Sequence, residues 1–315
     1  KAKKIIPGGN GLLSKRPERF VPYNWPTYFS RAKGINVWDL KNIKYIDMSL
    51  MGVGTSTLGY SNNYIDKKVS SIIKKGINTT LNCVEEFELA KKILKHDKFA
   101  DQVKFARGGG EAMSMAIRLA RANNQKTKIA FSGYHGWQDW YIAANLENNK
   151  NLNNHLLKNL VPLGIPKELK GSTIPFRFDD FNQIHKITKT KKISAIVIEC
   201  GRYNYLSKDF ANKINKLCKR KKICLIIDEI TTGWRETSGG LYKLIGLKPD
   251  IVVYGKSLGN GYAISSIVGK KKYMKFANKT FLSSVAWTER VGFTAGVSVI
   301  DYFTKNNVSE HLIKI

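Results

Sequence analysis

The sequence predicts an α/β fold whose central sheet is mostly parallel and is covered by helices on both faces. Short, almost continuously apolar runs alternate along the chain with segments whose apolar residues recur every three or four positions. Because the runs are apolar at consecutive positions, both faces of each strand are expected to be buried, as in parallel sheets. The chain has 315 residues, 43% of them hydrophobic, which is enough for one large core or for two domains.

The elements are predicted in the following order. Residues 1–60 form an N-terminal segment with a short antiparallel hairpin around 34–49, where apolar and polar residues alternate. Residues 61–315 form the large domain. Within it, the stretch 145–166 has no clear apolar stripe and is expected to be a long, partly ordered loop. Strands are predicted at Lys128–Ser132, Ser194–Glu199, Cys224–Asp228, Ile251–Tyr254 and Ser265–Val268, and helices from Asn62, around 87–94, at Glu111–Ala122, at Asp209–Arg220 and in the apolar end of the chain.

The charge balance is strongly basic, with 53 Lys and Arg against 24 Asp and Glu and a formal net charge of +29. The basic residues are scattered as short groups, and neither zinc-finger spacing nor an RNA-recognition motif accompanies them. We therefore expect a solvated basic surface and no nucleic-acid partner. The alternative is a basic polyanion-binding protein built on a degenerate enzyme fold.

The same composition bears on location and metal chemistry. No apolar run approaches the roughly 20 residues that a membrane helix needs, and no secretory signal is visible at the N-terminus. The four cysteines lack CxxC spacing, which favours reduced thiols and a cytoplasmic location. The five histidines form no HExxH or comparable pair, so no metal site is predicted.

Three glycines, Gly108-Gly109-Gly110, stand directly before a helical stripe. Bare backbone N–H groups at a helix N-terminus bind phosphate. A dinucleotide-binding fingerprint would need glycine at position 113, where the chain has Met113. The interpretations that remain are a phosphate cradle and a flexible connector.

Two charged residues follow apolar strands. Lys256 comes shortly after the run 251–254, where ligand sites form in α/β sheets and where burial lowers the pKa of an amine. A P-loop is excluded because it would need glycine at position 250, which is Asp250. Asp228 ends another apolar run and is expected at the same edge of the sheet. Each residue has an alternative interpretation. Lys256 could be an ordinary surface charge, and Asp228 could cap a helix or form an ion pair with Arg235.

An aromatic residue flanked by glycines follows a third strand in Gly133-Tyr134-His135-Gly136. Such a ring can lie flat on a planar ligand. A phosphate cradle, an aromatic platform, a buried carboxylate and a strand-end lysine are together the groups that hold pyridoxal 5'-phosphate by its phosphate, ring, ring nitrogen and aldehyde. A nicotinamide, a P-loop or a metal hypothesis does not use all four.

The chain resembles the class III, fold-type I pyridoxal-phosphate enzymes, and it is most similar to glutamate-1-semialdehyde 2,1-aminomutase and the aminotransferases around it. The resemblance runs from Ile6 to the chain end, and its motifs include GGGEAMSMAIRLAR, SGYHGWQDWY, VIEC, LIIDEITTGWR and PDIVVYGKSLGNGYAISSIVG. It implies a homodimer with active sites at the subunit interface. It also implies a small-molecule amino donor and a keto or aldehyde acceptor.

The resemblance implies roles for the residues around the ring of the cofactor. Lys256 would form a Schiff base with the cofactor and would later move the proton. Asp228 would pair with the ring nitrogen, and Glu199 would lie near the ring. Ile230 would pack on the ring face opposite Tyr134.

The resemblance also implies how the phosphate is held, with one substitution. Gly109 and Gly110 would cradle it through backbone N–H groups, although the loop lacks the hydroxyl side chains usual in the family. The resemblance places Val285 where a partner chain usually supplies a threonine, so Ser284 or Ser283 of the partner subunit would take its place.

Two departures bear on the reaction and on the domain organisation. Around 48–54 the aminomutases carry an aromatic residue that faces the substrate, and the sequence SLMGVG has none. This favours an aminotransferase acting on a sugar or another keto compound; a true glutamate-1-semialdehyde 2,1-aminomutase, which makes 5-aminolevulinate, is the alternative. The family also has a smaller C-terminal domain that closes the site, and this sequence stops before it, so we expect either a fragment of a longer protein or a chain in which that domain is missing.

Overall fold

In the part of the chain that the structure describes, the strands form two sheets, an N-terminal one and a central one. The computed structural model describes every residue except Pro22 and Leu156. The N-terminal sheet contains β1 (Phe29–Lys33), β2 (Asn36–Asp39) and β3 (Lys44–Ile46). The central sheet contains β4 (Gln102–Ala106), β5 (Lys128–Ser132), β6 (Thr173–Pro175), β7 (Ile193–Glu199), β8 (Cys224–Asp228), β9 (Ile251–Tyr254) and β10 (Ser265–Gly269).

The central sheet is mostly parallel, as predicted. Its strand order is β4-β10-β9-β8-β7-β5-β6. The pairs from β9 through to β6 are parallel, whereas β10 runs antiparallel to both of its neighbours. Every predicted strand is present within one residue of its predicted bounds.

Helices cover both faces of this sheet. Successive residues of β8 belong alternately to two buried clusters, with Leu225 and Ile227 in one and Ile226 in the other. The helices are α1 (Met51–Gly54), α2 (Asn63–Ile73), α3 (Val84–His96), α4 (Gly109–Asn124), α5 (Asp139–Ile142), α6 (Phe181–Thr190), α7 (Lys208–Lys221), α8 (Tyr242–Ile245), α9 (Lys271–Met274), α10 (Arg290–Asn306) and α11 (Val308–Lys314). In the described residues, no helix has both the length and the apolar character needed to cross a membrane.

Strands β1, β4 and β6 were not predicted, because none of them has the continuous apolar run of a central strand. β1 is mostly exposed and pairs antiparallel with β2, so the predicted hairpin is two strands of a three-stranded sheet. β6 has three residues, lies at the sheet edge and ends at Pro175, which is where proline is tolerated in a sheet.

The stretch 145–166 is a long loop, as predicted: beyond Leu146 its described residues form no helix or strand, and several of them pack against the core. The side-chain amide of Asn145 donates to the carbonyl of Leu160 at 2.7 Å and accepts from the N–H of Leu152 at 2.9 Å. Leu152 is buried, and the ring of His155 packs on Phe131 with centroids 5.0 Å apart. The order comes from side-chain hydrogen bonds, which leave no periodic apolar pattern in the sequence.

Candidate active site

The carboxyl ends of three neighbouring strands meet at one edge of the central sheet. Glu199 and Asp228 are register partners at the ends of β7 and β8. Asp228 is in turn the register partner of Val253 in β9, and Lys256 follows that strand by two residues. Both predicted carboxylates and the predicted lysine therefore lie at the same edge.

The amino group of Lys256 is buried beside the end of β8. Its Nζ donates a hydrogen bond to Oγ1 of Thr231 at 2.9 Å. Burial lowers the pKa of Lys256 from the ordinary value of 10.5, and the charge of Arg202 lowers it further, while nearby carboxylates act in the opposite direction. The backbone of Lys256 has a φ of +42°, which residues other than glycine rarely adopt and which is often found at functional sites. A lysine with a lowered pKa is more available as a nucleophile.

The carboxylate of Asp228 is held on both of its oxygens. Oδ2 lies 2.8 Å from Nδ1 of His135, and Oδ1 accepts the backbone N–H of Ile230 at 3.0 Å. Both Asp228 and His135 are buried, and the imidazole packs against Trp140 with the two ring planes 24° apart. Nε2 of His135 has no hydrogen-bond partner among the described residues. Asp228 is therefore fixed in orientation before any ligand binds.

The three glycines lie at the start of α4. Gly108 is the N-cap, and its N–H donates at 2.8 Å to the carboxylate of Glu111, which also accepts the N–H of Arg107 at 3.2 Å. The N–H groups of Gly109 and Gly110 belong to the first turn, where an α-helix provides no acceptor for them. These two N–H groups are therefore available to an anion.

The same two glycines are in close contact with neighbouring side chains. A Cβ added to Gly109 would lie 2.8 Å from Cδ1 of Ile230, and a Cβ added to Gly110 would overlap the side-chain amide of Gln138. Real Cβ atoms do not approach other atoms as closely as either added Cβ would. Any side chain here would crowd the helix N-terminus, so glycine keeps the backbone accessible.

Ile230 connects the predicted phosphate cradle with the lysine and the aspartate. Its side chain lies against Gly109, and it would also contact a Cβ on Gly255, at 3.4 Å. Gly255 precedes Lys256, and the N–H of Ile230 bonds to Asp228. Ile230 and its neighbour Thr231, which accepts the amine of Lys256, thus link the bare N–H groups, the amine and the carboxylate, and this donor set fits pyridoxal phosphate.

Tyr134 follows β5 and is half-buried beside Glu199. The N–H of Tyr134 donates to Oε2 of Glu199 at 2.9 Å, and its ring meets Tyr141 edge-on with centroids 6.0 Å apart. Burial raises the pKa of Tyr134, so its phenol is neutral near pH 7. Glu199 also forms an ion pair with Arg202, whose Nη2 lies 2.6 Å from Oε1.

Arg235 bonds to the N-terminal segment, so the alternative in which it pairs with Asp228 was wrong. Its guanidinium donates to the carbonyl of Gly54 and, at 2.8 Å, to Oγ1 of Thr57. A Cβ on Gly54 would lie 3.7 Å from Cδ of Lys256. The turn that contains Gly54 therefore borders the lysine.

Ser284 is half-buried and begins the turn 285–288, where its carbonyl accepts the N–H of Trp287 at 3.2 Å. The contact predicted for Ser284 is with the site of the partner subunit, and it stays a prediction. Sequence analysis assigned no such roles to His135, Thr231 and Arg202. Each follows a predicted site residue by one to three positions, and this proximity is the signal that marks them.

The comparisons with known proteins agree with this geometry. A model of the family described as aminotransferase class-III matches residues 21–310. The 3-aminobutyryl-CoA aminotransferase of Cloacimonas acidaminovorans is 32% identical over 98% of this chain and 72% of its own length. The glutamate-1-semialdehyde 2,1-aminomutase of Wigglesworthia glossinidia brevipalpis is 36% identical over 87% of this chain and 63% of its own length.

Solved structures share the fold. The FumI protein of Sphingopyxis sp. MTA144, solved with pyridoxal phosphate, superposes with a TM-score of 0.87 at 24% identity over 99% of this chain and 73% of its own. An omega-transaminase from Sphaerobacter thermophilus gives a TM-score of 0.84 at 20% identity over 96% of this chain and 71% of its own. The chain therefore spans between 63% and 73% of the length of these four proteins. It belongs to the class-III aminotransferases, a family of pyridoxal-phosphate enzymes.

Proposed function

We propose that this chain transfers an amino group from a small amino donor to a keto or aldehyde acceptor, with Lys256 as the residue that bonds the cofactor's aldehyde. One observation carries the proposal. Residues 230 and 231 connect the three groups: the N–H of Ile230 bonds to Asp228, the side chain of Ile230 lies against Gly109, and Thr231 accepts the amine of Lys256. When bound, the cofactor supplies an electrophilic carbon for the substrate nitrogen and a ring that accepts electron density as the α-proton leaves.

Each residue has a distinct task in this proposal. Asp228, oriented by His135, holds a proton on the ring nitrogen. The first-turn N–H groups of α4 bind the phosphate dianion. Lys256 takes and returns the substrate's α-proton at Nζ, and because burial lowers its pKa, a larger fraction of the amine is free to act as a base. Ile230 and Tyr134 would pack on the two faces of the ring, and Glu199 would lie near the ring.

We propose transfer between two molecules rather than a shift within one molecule. The turn that borders Lys256 is Met51-Gly52-Val53-Gly54, which has no aromatic side chain. The aminomutases carry an aromatic residue there, as the family resemblance implies. The relative named for aminobutyryl-CoA transamination covers 98% of the chain, which also supports this assignment.

The assembly is part of the proposal. We propose a cytoplasmic homodimer in which Ser284 of the partner subunit completes the phosphate site. The exposed side chains of Phe281 and Val285, beside Ser284, are apolar, which supports an interface at this place. Residues 61–315 would be the cofactor-binding large domain, and 1–60 the segment that borders the lysine.

Half-reactions test the proposal. The purified protein loaded with pyridoxal phosphate should absorb in the visible range, and an external amino donor alone should bleach that band as its amino group is transferred. A subsequent keto acid or aldehyde should restore the band. Conversion of glutamate-1-semialdehyde to 5-aminolevulinate without a donor would instead identify an aminomutase. Salt-sensitive nucleic-acid binding without a cofactor spectrum would favour the polyanion-binding alternative.

A further inference from the structure

The phosphate cradle proposed at the start of α4 has few donors of its own. The N–H of Gly108 donates to Glu111, which leaves the N–H groups of Gly109 and Gly110 for an anion. Neither of these glycines has a side chain, and a phosphate dianion has three terminal oxygens that accept strong hydrogen bonds. A donor from another segment would therefore strengthen the binding of a phosphate at this place.

The side-chain amide of Gln138 lies against this cradle. A Cβ added to Gly110 would overlap Nε2, Oε1 and Cδ of Gln138. The amide therefore occupies the place where a side chain of residue 110 would begin. A Cβ added to Gly136 would lie 3.2 Å from Cα of Gly110, so the turn before Gln138 also packs on the start of α4.

The backbone of Gln138 is anchored in the core. Gln138 is the N-cap of α5, and its carbonyl accepts the N–H of Tyr141 at 2.9 Å and that of Ile142 at 3.1 Å. Tyr141 is buried, and its hydroxyl donates to the carbonyl of Gly133 at 2.9 Å. The amide is thus held beside the cradle before any ligand binds, which lowers the entropy lost on binding.

One end of this amide is already paired. Oε1 of Gln138 accepts the backbone N–H of Trp137 at 3.1 Å, and only the oxygen of an amide can accept from that donor. This contact settles which end of the amide is nitrogen, so Nε2 is the end that can donate. Nε2 forms no hydrogen bond with another described residue. A half-buried N–H₂ group beside two open backbone N–H groups is suited to an anion.

We propose that Gln138 is a cofactor-binding residue whose Nε2 donates a hydrogen bond to the phosphate of pyridoxal phosphate. This inference rests on the proposed function and adds a residue to the same site. The amide takes the part of a side chain at position 110, and glycine at that position leaves room for it. The donor can come from residue 138 or from residue 110, but the space holds only one of the two side chains.

Comparison of pyridoxal phosphate with pyridoxal, which lacks the phosphate, tests the proposal. The dissociation constant of each is measured on the purified protein by equilibrium dialysis. Gln138→Ala should weaken the binding of pyridoxal phosphate about tenfold or more, because a hydrogen bond to a charged group is lost, and should leave that of pyridoxal within about twofold. Gln102→Ala, which removes an exposed glutamine of β4, is the matched control and should bind both as the wild type does.

A second variant separates binding from packing. In Gln138→Glu the side chain keeps its size and can still accept the N–H of Trp137, but a negative charge replaces the donor. Because this charge repels the phosphate, Gln138→Glu should weaken pyridoxal phosphate more than Gln138→Ala does. If Gln138 only fills space, Gln138→Glu should bind pyridoxal phosphate as the wild type does, and that result would contradict the proposal.

A double substitution tests whether positions 110 and 138 share one space. Gly110→Ser alone should weaken pyridoxal phosphate, because the new side chain overlaps the amide of Gln138. In the Gln138→Ala background the serine has room and its hydroxyl replaces the lost donor. The double variant should therefore bind pyridoxal phosphate at least about threefold more tightly than Gln138→Ala, so that the two effects do not add.

Wild-type affinity for pyridoxal phosphate in Gln138→Ala, or equal losses for pyridoxal phosphate and pyridoxal, would overturn the proposal. The wild type distinguishes this failure from failure of the proposed function. If the wild type is labelled at Lys256 by borohydride and completes both half-reactions, such a result removes only the role of Gln138. If the wild type does neither, the proposed function itself is wrong.

Discussion

Nδ1 of His135 lies 2.8 Å from Oδ2 of Asp228, and both side chains are buried. The two residues are 93 positions apart in the sequence and come from the ends of β5 and β8. Because an ionised carboxylate only accepts hydrogen bonds, Nδ1 is the protonated nitrogen of the imidazole in this pair. His135 is thus a positioning residue. It fixes the carboxylate of Asp228, which in the proposed function keeps the ring nitrogen of the cofactor protonated.

Removal of this imidazole should loosen Asp228. His135→Ala leaves one carboxylate oxygen without its donor, and a hydrogen bond to a charged group contributes about 1.5–3 kcal/mol. We expect the half-reaction rate to fall about 10- to 100-fold, with KM for the donor changed less than kcat. His135→Asn, which retains an N–H donor, should recover part of the rate. Equal rates for His135→Ala and wild type would show that the pair does not orient the acid.

A side chain that crowds the phosphate cradle should weaken the binding of the cofactor. In Gly109→Ala the new methyl group would lie 2.8 Å from Cδ1 of Ile230, so either the side chain or the start of α4 must move. Such overpacking costs about 1–3 kcal/mol, and we expect the dissociation constant of pyridoxal phosphate to rise about tenfold or more. Equilibrium dialysis of the cofactor measures this directly.

The adjacent glycine supplies the control. A Cβ at Gly108 would meet Oε2 of Glu111 at 3.5 Å, an ordinary contact, and the residue lies at a φ of −101°, which alanine adopts. Gly108→Ala should therefore bind the cofactor within about twofold of wild type. If both alanine variants weaken cofactor binding equally, the N–H groups of the first turn are not what holds the phosphate.

A buried carboxyl group should make stability depend on pH. Glu229 accepts the N–H of Tyr242 at 2.7 Å and the thiol of Cys200 at 3.2 Å, and burial raises the pKa of Glu229 from 4.5 to about 7. Because the folded state binds this proton more tightly, its contribution to stability is complete below about pH 4.5 and is lost as the pH rises through about 7. As the pH increases from about 4.5 to about 7, the wild type loses this contribution and Glu229→Gln does not. The free energy of unfolding of Glu229→Gln should therefore rise relative to that of the wild type over this range.

Urea unfolding across this pH range measures the difference. His155, which accepts the N–H of Gly133, has its pKa lowered by burial to about 4, so its own contribution grows as the pH rises. Comparison of variant with wild type removes this opposing effect, which both proteins share. Glu88→Gln, at an exposed position of α3, should track the wild type. If the difference in free energy of unfolding between Glu229→Gln and the wild type does not change with pH, the pKa of Glu229 is not raised in the folded state.

The bounds of the central strands, and the polar residues at their carboxyl ends, could be predicted from the sequence. Strands β5, β8 and β9 have the predicted bounds because each apolar run is short and is followed by a polar or glycine residue. The same reasoning located Asp228 and Lys256, since the carboxyl ends of neighbouring parallel strands share one edge.

What the sequence did not predict depends on contacts between distant segments. No local pattern shows that His135 meets Asp228, or that Arg235 reaches Gly54, since each contact arises only when the sheet is assembled. The stretch 145–166 is the predicted loop, but its packing against the core was not predicted, because Asn145, a residue typical of loops, organises it through its side chain. The short strand β6 is an edge strand and has little apolar signal of its own.

The central claim is that Lys256 is the residue that bonds the cofactor, and borohydride reduction followed by peptide mapping tests it most directly. Reduction of the loaded protein makes the bond permanent, and the label should be recovered on the peptide that contains Lys256. The Lys256→Ala protein should carry no label while retaining the folded stability of the wild type within about 2 kcal/mol. A label recovered on a different lysine, or retained in full by Lys256→Ala, would contradict the account.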